Sequence, residues 1–362
     1  MKITRRKFSK LLIGSSISCF FTSGISHKVF SAENVSDFCQ SLQPLGRRLE
    51  TEGFYVWGAS PIMGEDGKVH LFYSRWPEKY GMGGWIHQSE IAHAVADTPE
   101  SEFKSVDVVF RPRGGDFWDS TTCHNPHIKK VDSKFCLFYM GNANKKTSTK
   151  RIGLSIADSV YGPWYHADQP LLNVSDEPGA WDNHCTTNPS FVRHPDGAYW
   201  LYYKSWNTEE HENYTDPKIR GNRKYGIAIA DQLQGPYRKY EGNPVIDYSG
   251  LGNNTQAEDG FVWLQDGKFR MLLRDMGFFN HQYGLYIESD DGIDWSKPKI
   301  AYYNTDHYFS QPPKPEHLSK YGRFERPQLL FQDNKPTHLF VTTQGGRYMT
   351  SSPYVFRIRQ KQ

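Results

Sequence analysis

Asn188-Pro189-Ser190-Phe191-Val192-Arg193-His194-Pro195-Asp196-Gly197-Ala198-Tyr199-Trp200-Leu201-Tyr202-Tyr203-Lys204 reads as one β-hairpin. Asp196-Gly197 supplies the positive-φ residues that a tight hairpin turn demands. The flanking runs are rich in aromatic and β-branched residues, which pack well on a pleated surface. Four other stretches follow the same plan. They run from Ser60-Pro61-Ile62 to Tyr73-Ser74-Arg75-Trp76, from Asn125-Pro126-His127 to Tyr139-Met140, from Asp259-Gly260-Phe261 to Leu273-Arg274, and from Arg326-Pro327-Gln328 to Val341-Thr342. Asp66-Gly67 and Asp266-Gly267 repeat the turn, and Asp132-Ser133 and Asp333-Asn334 are looser versions.

A third strand with small residues follows the first four hairpins, then an aromatic strand. Ile152-Gly153-Leu154-Ser155-Ile156-Ala157 with Gly162-Pro163-Trp164, and Tyr225-Gly226-Ile227-Ala228-Ile229-Ala230 with Gly235-Pro236-Tyr237, are the clearest copies. The anchors at 60, 125, 188, 259 and 326 recur at intervals of 63 to 71 residues. A period of this length, four strands per unit and five units predict an all-β five-bladed β-propeller with four-stranded antiparallel blades. The fifth unit lacks its tail, so residues 39–57 are expected to complete that blade and close the ring without an exposed edge.

The N-terminus reads as an address. Thr4-Arg5-Arg6-Lys7-Phe8-Ser9-Lys10 resembles a twin-arginine export signal, and the apolar run from Leu11 to Phe21 is too short to span a bilayer. Residues 1–32 are therefore read as a removed signal, and 33–362 as one propeller domain of a periplasmic or secreted protein. Cys39, Cys123, Cys136 and Cys185 remain after Cys19 leaves with the signal. In an oxidising compartment a Cys123–Cys185 disulfide and two buried thiols are equal alternatives. The balance of 43 basic and 40 acidic residues does not call for a nucleic-acid partner. No membrane partner is expected for the mature chain, and the oligomeric state is not readable.

Strand starts and hairpin ends from every blade converge on one face. The starts are Ala59-Ser60, His124-Asn125, Thr187-Asn188, Glu258-Asp259 and Glu325-Arg326. Three carboxyls in two neighbouring blades suit glycosidic bond cleavage, which needs one carboxylic acid for the leaving oxygen and one carboxylate for water or carbon. Glu258, Asp259, Glu325 and His124 are the candidate catalytic residues, with structural ion pairing as the competing role for the acids. Trp118-Asp119 and Trp181-Asp182 stand at matching distances before Asn125 and Asn188. They read equally as a sugar-binding wall or as a shared structural corner. Trp57, Asn125 and Asn188 join the expected binding surface. Arg75, Lys204, Arg274 and Arg326 give its rim more positive charge than a neutral sugar needs, which suggests a sulfated or uronic substrate. No cofactor and no metal motif is expected, although an axial Ca²⁺ or another ion is compatible with the ring.

The phrases Gly58-Ala59-Ser60-Pro61, His124-Asn125-Pro126, Glu258-Asp259-Gly260-Phe261 and Glu325-Arg326-Pro327-Gln328 resemble the strand-start motifs of the five-bladed glycoside hydrolases of families 43 and 117, and more distantly 32 and 68. The resemblance covers about residues 45–358. It implies an exo-acting hydrolase of plant or algal carbohydrate, usually inverting. It also implies a general-base Asp at the start of the first blade, where this chain carries Ser60 beside Ala59. Asp119, Asp182 and His124 are the substitutes within reach, and Glu258 or Glu325 would be the acid. A propeller that binds carbohydrate without cutting it, and a lyase or atypical glycosidase using His124, are the competing functions.

Overall fold

A computed structural model describes residues 32–213, 222–252 and 254–360; the segment read as an export signal, residues 1–32, lies outside the described residues but for Ala32. Among the described residues, nineteen strands fall into five sequential groups. The first is β2 (Phe54–Met63), β3 (Val69–Pro77), β4 (Glu90–Ala96) and β5 (Lys104–Phe110), which follow β1 (Leu42–Arg47). The second is β6 (Thr122–Val131), β7 (Lys134–Asn142) and β8 (Arg151–Ala157). The third is β9 (Thr187–Arg193), β10 (Tyr199–Ser205), β11 (Lys224–Ala230) and β12 (Arg238–Lys239), and the fourth is β13 (Gln256–Gln265), β14 (Lys268–Met276), β15 (Gly284–Ser289) and β16 (Lys299–Tyr302). The last is β17 (Glu325–Gln332), β18 (Lys335–Gly345) and β19 (Thr350–Ile358).

Each group is an antiparallel meander, so the first hairpin of each unit is as expected. Gly67, Asp132, Gly197, Asp266, Gly267, Asp333 and Asn334 all have positive φ at the turns. The fifth group takes its outer strand from the other end of the chain. β1 pairs with β19, from Leu42 opposite Ile358 to Arg47 opposite Tyr354. One parallel pairing of Ser351 with Tyr55 joins that group to the first, making a mixed eight-stranded sheet. The expectation of four strands per unit fails in the second group. There Trp164 and its neighbours form no strand, and only isolated bridges such as Ile152–Leu172 cover the edge.

Packing between groups makes the core. Tyr202, Tyr225, Ile227, Met271 and Leu273 form one such interface, and Phe72, Phe110, Leu137 and Tyr139 another. A repeated polar stitch runs between the inner strands. Ser60 Oγ accepts the Ile128 N–H at 3.1 Å, His127 Nε2 accepts that of Phe191 at 3.1 Å, and Ser190 Oγ accepts that of Val262 at 2.8 Å. Each time, a side chain of one group satisfies a backbone donor of the next, at equivalent places. Cys39, Cys123, Cys136 and Cys185 are buried free thiols, so the disulfide alternative is not realised.

Candidate active site

The inner strands share one backbone device. Gly58, Asn125, Asn188, Asp259 and Arg326 have φ of 58°, 49°, 49°, 59° and 57°. Each sits at a register shift between the first and second strands of its group. Left-handed geometry costs free energy at non-glycine residues and persists where the surroundings fix it. Here side chains link around the axis. Asn125 Nδ2 donates to Asn188 Oδ1 at 2.9 Å, and Asn188 Nδ2 donates to Asp259 Oδ1 at 2.9 Å. Asp259 Oδ2 then accepts the Arg326 backbone N–H at 3.1 Å. Gly58 fills the remaining place in the ring: a Cβ there would lie 3.1 Å from Asn125 Oδ1 and 3.6 Å from Arg326 Nε.

This register corrects the first unit. The residue equivalent to Asn125, Asn188 and Asp259 is Gly58, two places before Ser60. Ser60 matches His127 and Ser190, whose side chains stitch neighbouring groups; it is buried and also hydrogen-bonded to Gln328 Oε1. The residues just before the ring are Trp57, His124, Thr187, Glu258 and Glu325, and all five line one pocket of about 360 Å³. The bulge turns them together toward the same mouth.

Seven cationic side chains and three carboxylates line this pocket. Glu258 meets Lys204 Nζ at 2.7 Å, Arg274 Nη1 at 3.1 Å and Arg223 Nε at 3.5 Å. Glu325 meets Arg323 Nε at 2.7 Å, Lys320 Nζ at 3.0 Å and Arg274 Nη1 at 3.1 Å. Burial pushes both carboxyls up, but these cations override it. Glu258 is held well below the usual carboxylate range, and Glu325 falls to about 2. Both are anions at neutral pH.

His124 is 4% exposed and sits between aromatic rings, stacked on Trp85 at 5.4 Å and edge-on to Trp76 at 5.6 Å. Its Nδ1 bonds Ser89 Oγ at 2.8 Å. Burial, together with Arg326, Lys320, Lys150 and Lys204, holds the ring well below the usual histidine range, so it is neutral. A neutral imidazole can accept a proton or orient a hydroxyl.

The expected residues divide cleanly. Trp57, His124, Asn125, Asn188, Lys204, Glu258, Asp259, Arg274, Glu325 and Arg326 line the pocket. Arg75 does not: it pairs with Glu90 at 2.8 Å and lies over Phe54. Both Trp-Asp pairs also stand elsewhere, and the structural corner is the reading that fits. Trp118 packs on Tyr139 and over Gly153, and Trp181 packs on Tyr203 and over Gly226. Asp119 accepts the Tyr139 hydroxyl and pairs with Arg113 at 2.5 Å and His166 at 2.8 Å. Asp182 accepts the Tyr203 hydroxyl at 2.7 Å and pairs with Lys239 at 2.7 Å. A glycine in the third strand makes room for each indole, because a Cβ would fall within 2.7 Å of it. Neither Asp119 nor Asp182 lines the pocket.

Sequence reading missed Lys150, Arg223, Lys320 and Arg323. Lys150 and Arg223 immediately precede β8 and the β11 strand at Lys224. Third strands run parallel to first strands in a meander, so their starts reach the same mouth. That signal was available in the repeat. Lys320 and Arg323 come from the irregular segment before β17, where no repeat guides the eye.

Among the described residues one His/Cys/Asp cluster has ligand atoms within 4.8 Å of one another, Asp119, Cys123 and His166. Its Asp is already occupied by Arg113 and His166.

No family model matches the chain, and no curated protein matches it. Solved structures share its fold. A family 117 glycoside hydrolase produced by the marine bacterium Zobellia galactanivorans aligns with TM-score 0.61 and 18% identity over 87% of this chain and 90% of its own. BT0996, solved as an RGII complex, gives 0.63 and 14% over 86% and 90%. A family 43 β-xylosidase/α-arabinofuranosidase from a compost microbial metagenome gives 0.55 and 14% over 87% and 93%. The chain thus has the all-β fold of glycoside hydrolases of families 117 and 43.

Proposed function

We propose that the chain is an exported, five-bladed propeller glycoside hydrolase acting from the ends of plant or algal saccharides, with an anionic sugar as substrate. One observation carries this reading. Glu258, Asp259 and Glu325 meet in a single polar pocket at the axial end of a fold shared with glycosidases. The five strand groups and the strand exchange between chain ends support the five-bladed ring. The cation excess supports the charged substrate.

Two ionised carboxylates suit an oxocarbenium-like transition state, which they stabilise electrostatically. The Asp259 carboxylate is engaged in the axial hydrogen bonds and orients its neighbours. A carboxyl that donates a proton must first lose cation partners. A substrate that engages Lys204 or Lys320 would do this for Glu258 or Glu325 and raise its pKa. Glu258 and Glu325 each place an oxygen 3.1 Å from Arg274 Nη1, so these oxygens are within about 6 Å of each other. Retaining pairs hold their carboxyl groups about 5–5.5 Å apart, and inverting pairs stand farther apart to admit a water. The shared Arg274 keeps two of their oxygens near each other without setting the spacing of the carboxyl groups, and the family resemblance favours inversion. The first anomer seen by proton NMR during hydrolysis decides between retention and inversion.

The test is reducing-sugar release from neutral, uronic and sulfated oligosaccharides. E258Q and E325Q are each expected to lower kcat at least ~100-fold with binding retained. Turnover that survives both substitutions would remove these residues from catalysis. The complete ion pairing of both carboxylates favours one second reading, a propeller that binds saccharide without cutting it. Saturable binding with no release from any substrate would establish that reading instead. Export through the Arg5-Arg6 signal is tested by fractionation, where R5K/R6K should leave the protein in the cytoplasm.

A further inference from the structure

Lys150 is the cation in this pocket that nothing else explains. Its side chain is 5% exposed, yet among the described residues its Nζ has no hydrogen-bond or ion-pair partner. It lies instead 4.3 Å from the Trp206 ring centroid and 5.9 Å from that of Trp85. Cation–π contact softens the cost of burying an ammonium but leaves its three donors unused. Its neighbours make matters worse. Lys204 lies 5.8 Å and Arg223 5.3 Å from the same Trp206 ring, and both repel it. Glu258, the nearby carboxylate, already serves Lys204, Arg274 and Arg223. Burial lowers Lys150 only to about 8, so it remains a cation at neutral pH.

A second observation has the same sense. Trp206, Arg223, Arg274 and Arg326, which line this pocket, each also carry a buried donor without a hydrogen-bond partner, although Arg223 Nε is ion-paired with Glu258 at 3.5 Å. Such groups are few in a native structure, and a group entering beside Lys150 is one explanation for them. The missing group must accept hydrogen bonds, carry negative charge and fit beside an indole face. An oxyanion on a sugar meets all three conditions, because the sugar's C–H face suits the aromatic ring.

We propose that this wall is an oxyanion subsite, in which Lys150, backed by Arg223 on the Trp206 ring, receives a sulfate ester or carboxylate of the saccharide. The assignment rests on reading the pocket as a carbohydrate site. It makes Lys150 a specificity-determining residue rather than a participant in bond cleavage.

Calorimetric titration of the mature protein with galactose 6-sulfate, galacturonate and galactose tests it, at fixed ionic strength in chloride. One charged sugar is expected to bind at least ~10-fold tighter than galactose, and its identity tells sulfate from carboxylate. K150M keeps the volume and the aromatic contacts but removes the charge. It should lose at least ~10-fold in affinity for the charged sugar and leave galactose unchanged, and K150R should recover part of the loss. Without anion, K150M should melt about 2–4 °C higher than the natural protein, because a buried charge lacking a counter-charge has been removed. Equal binding of all three sugars, unchanged affinity in K150M, or a lower melting temperature for it overturns the subsite. The hydrolase reading fails separately. A protein that binds galacturonate through Lys150 but releases no sugar would keep the subsite and lose the hydrolase. An active enzyme whose K150M variant cuts charged and neutral substrates in the natural ratio would do the reverse.

Discussion

The two walls of the pocket handle buried charge in opposite ways. On the side built by the fourth and fifth strand groups, Glu258 and Glu325 share Arg274, and Lys204, Lys320 and Arg323 complete the network. On the side built by the first three groups, Lys150 lies against Trp206 and Trp85 with no carboxylate of its own. The first wall is neutralised from within and holds its geometry without ligand. The second carries unspent charge and depends on what enters. A closed network contributes order when intact and is costly to open, whereas an open one costs stability until it is filled.

The largest expected effect comes from opening the closed wall. E325Q leaves Arg274, Lys320 and Arg323 facing a neutral amide and should cost about 3–5 kcal/mol by urea denaturation at pH 7. Its pH dependence has a definite sign. The folded pKa of Glu325 lies near 2, below the ordinary 4.5. The stabilisation is therefore present above about pH 4.5 and is lost as pH falls toward 2. The difference between natural protein and E325Q should shrink across that window; a gap that stays constant would mean the ion pairs are not its source.

Next in size are the corners that the repeated Trp-Asp pairs build. D182N disturbs a buried carboxylate bonded to Tyr203 and Lys239, and should cost about 1–3 kcal/mol with kcat/KM held within ~3-fold. A large loss of kcat/KM at full stability would return Asp182 to the site. G58A tests the axial ring, where the added methyl meets Asn125 Oδ1 at φ +58°, and should cost about 1–2 kcal/mol by thermal melting. R75A is the smallest, about 0.5 kcal/mol with turnover unchanged, because its pairing with Glu90 lies partly in solvent away from the pocket.

The sequence carried the hairpins, their turns and the exchange of β1 into the last group, because Asp-Gly pairs and strand periodicity act locally. It also carried ten of the pocket residues, since strand starts repeat. Ser60 misled because Ser-Pro looks like Asn-Pro and Arg-Pro, while the left-handed residue of that unit is a glycine two places earlier. Trp118 and Trp181 stayed undecided because a duplicated aromatic-acid pair looks equally like a binding wall and a structural corner. Their role depends on Gly153 and Gly226, which only the pairing of strands brings beneath the indoles. Lys150 could not be weighed from sequence, since the meaning of a lysine lies in the absence of a partner in space.

The pairing of β1 with β19 sets Leu42 opposite Ile358, and the Arg359 N–H reaches the Ser41 carbonyl at 3.0 Å. The two termini of the described fold are thus neighbours, and the order in which the groups are translated is not needed to define their arrangement. A circular permutant with a short linker from Gln360 to Ser41, opened at the Asp196-Gly197 turn, where Asp196 is exposed, should fold to the same architecture with its pocket intact.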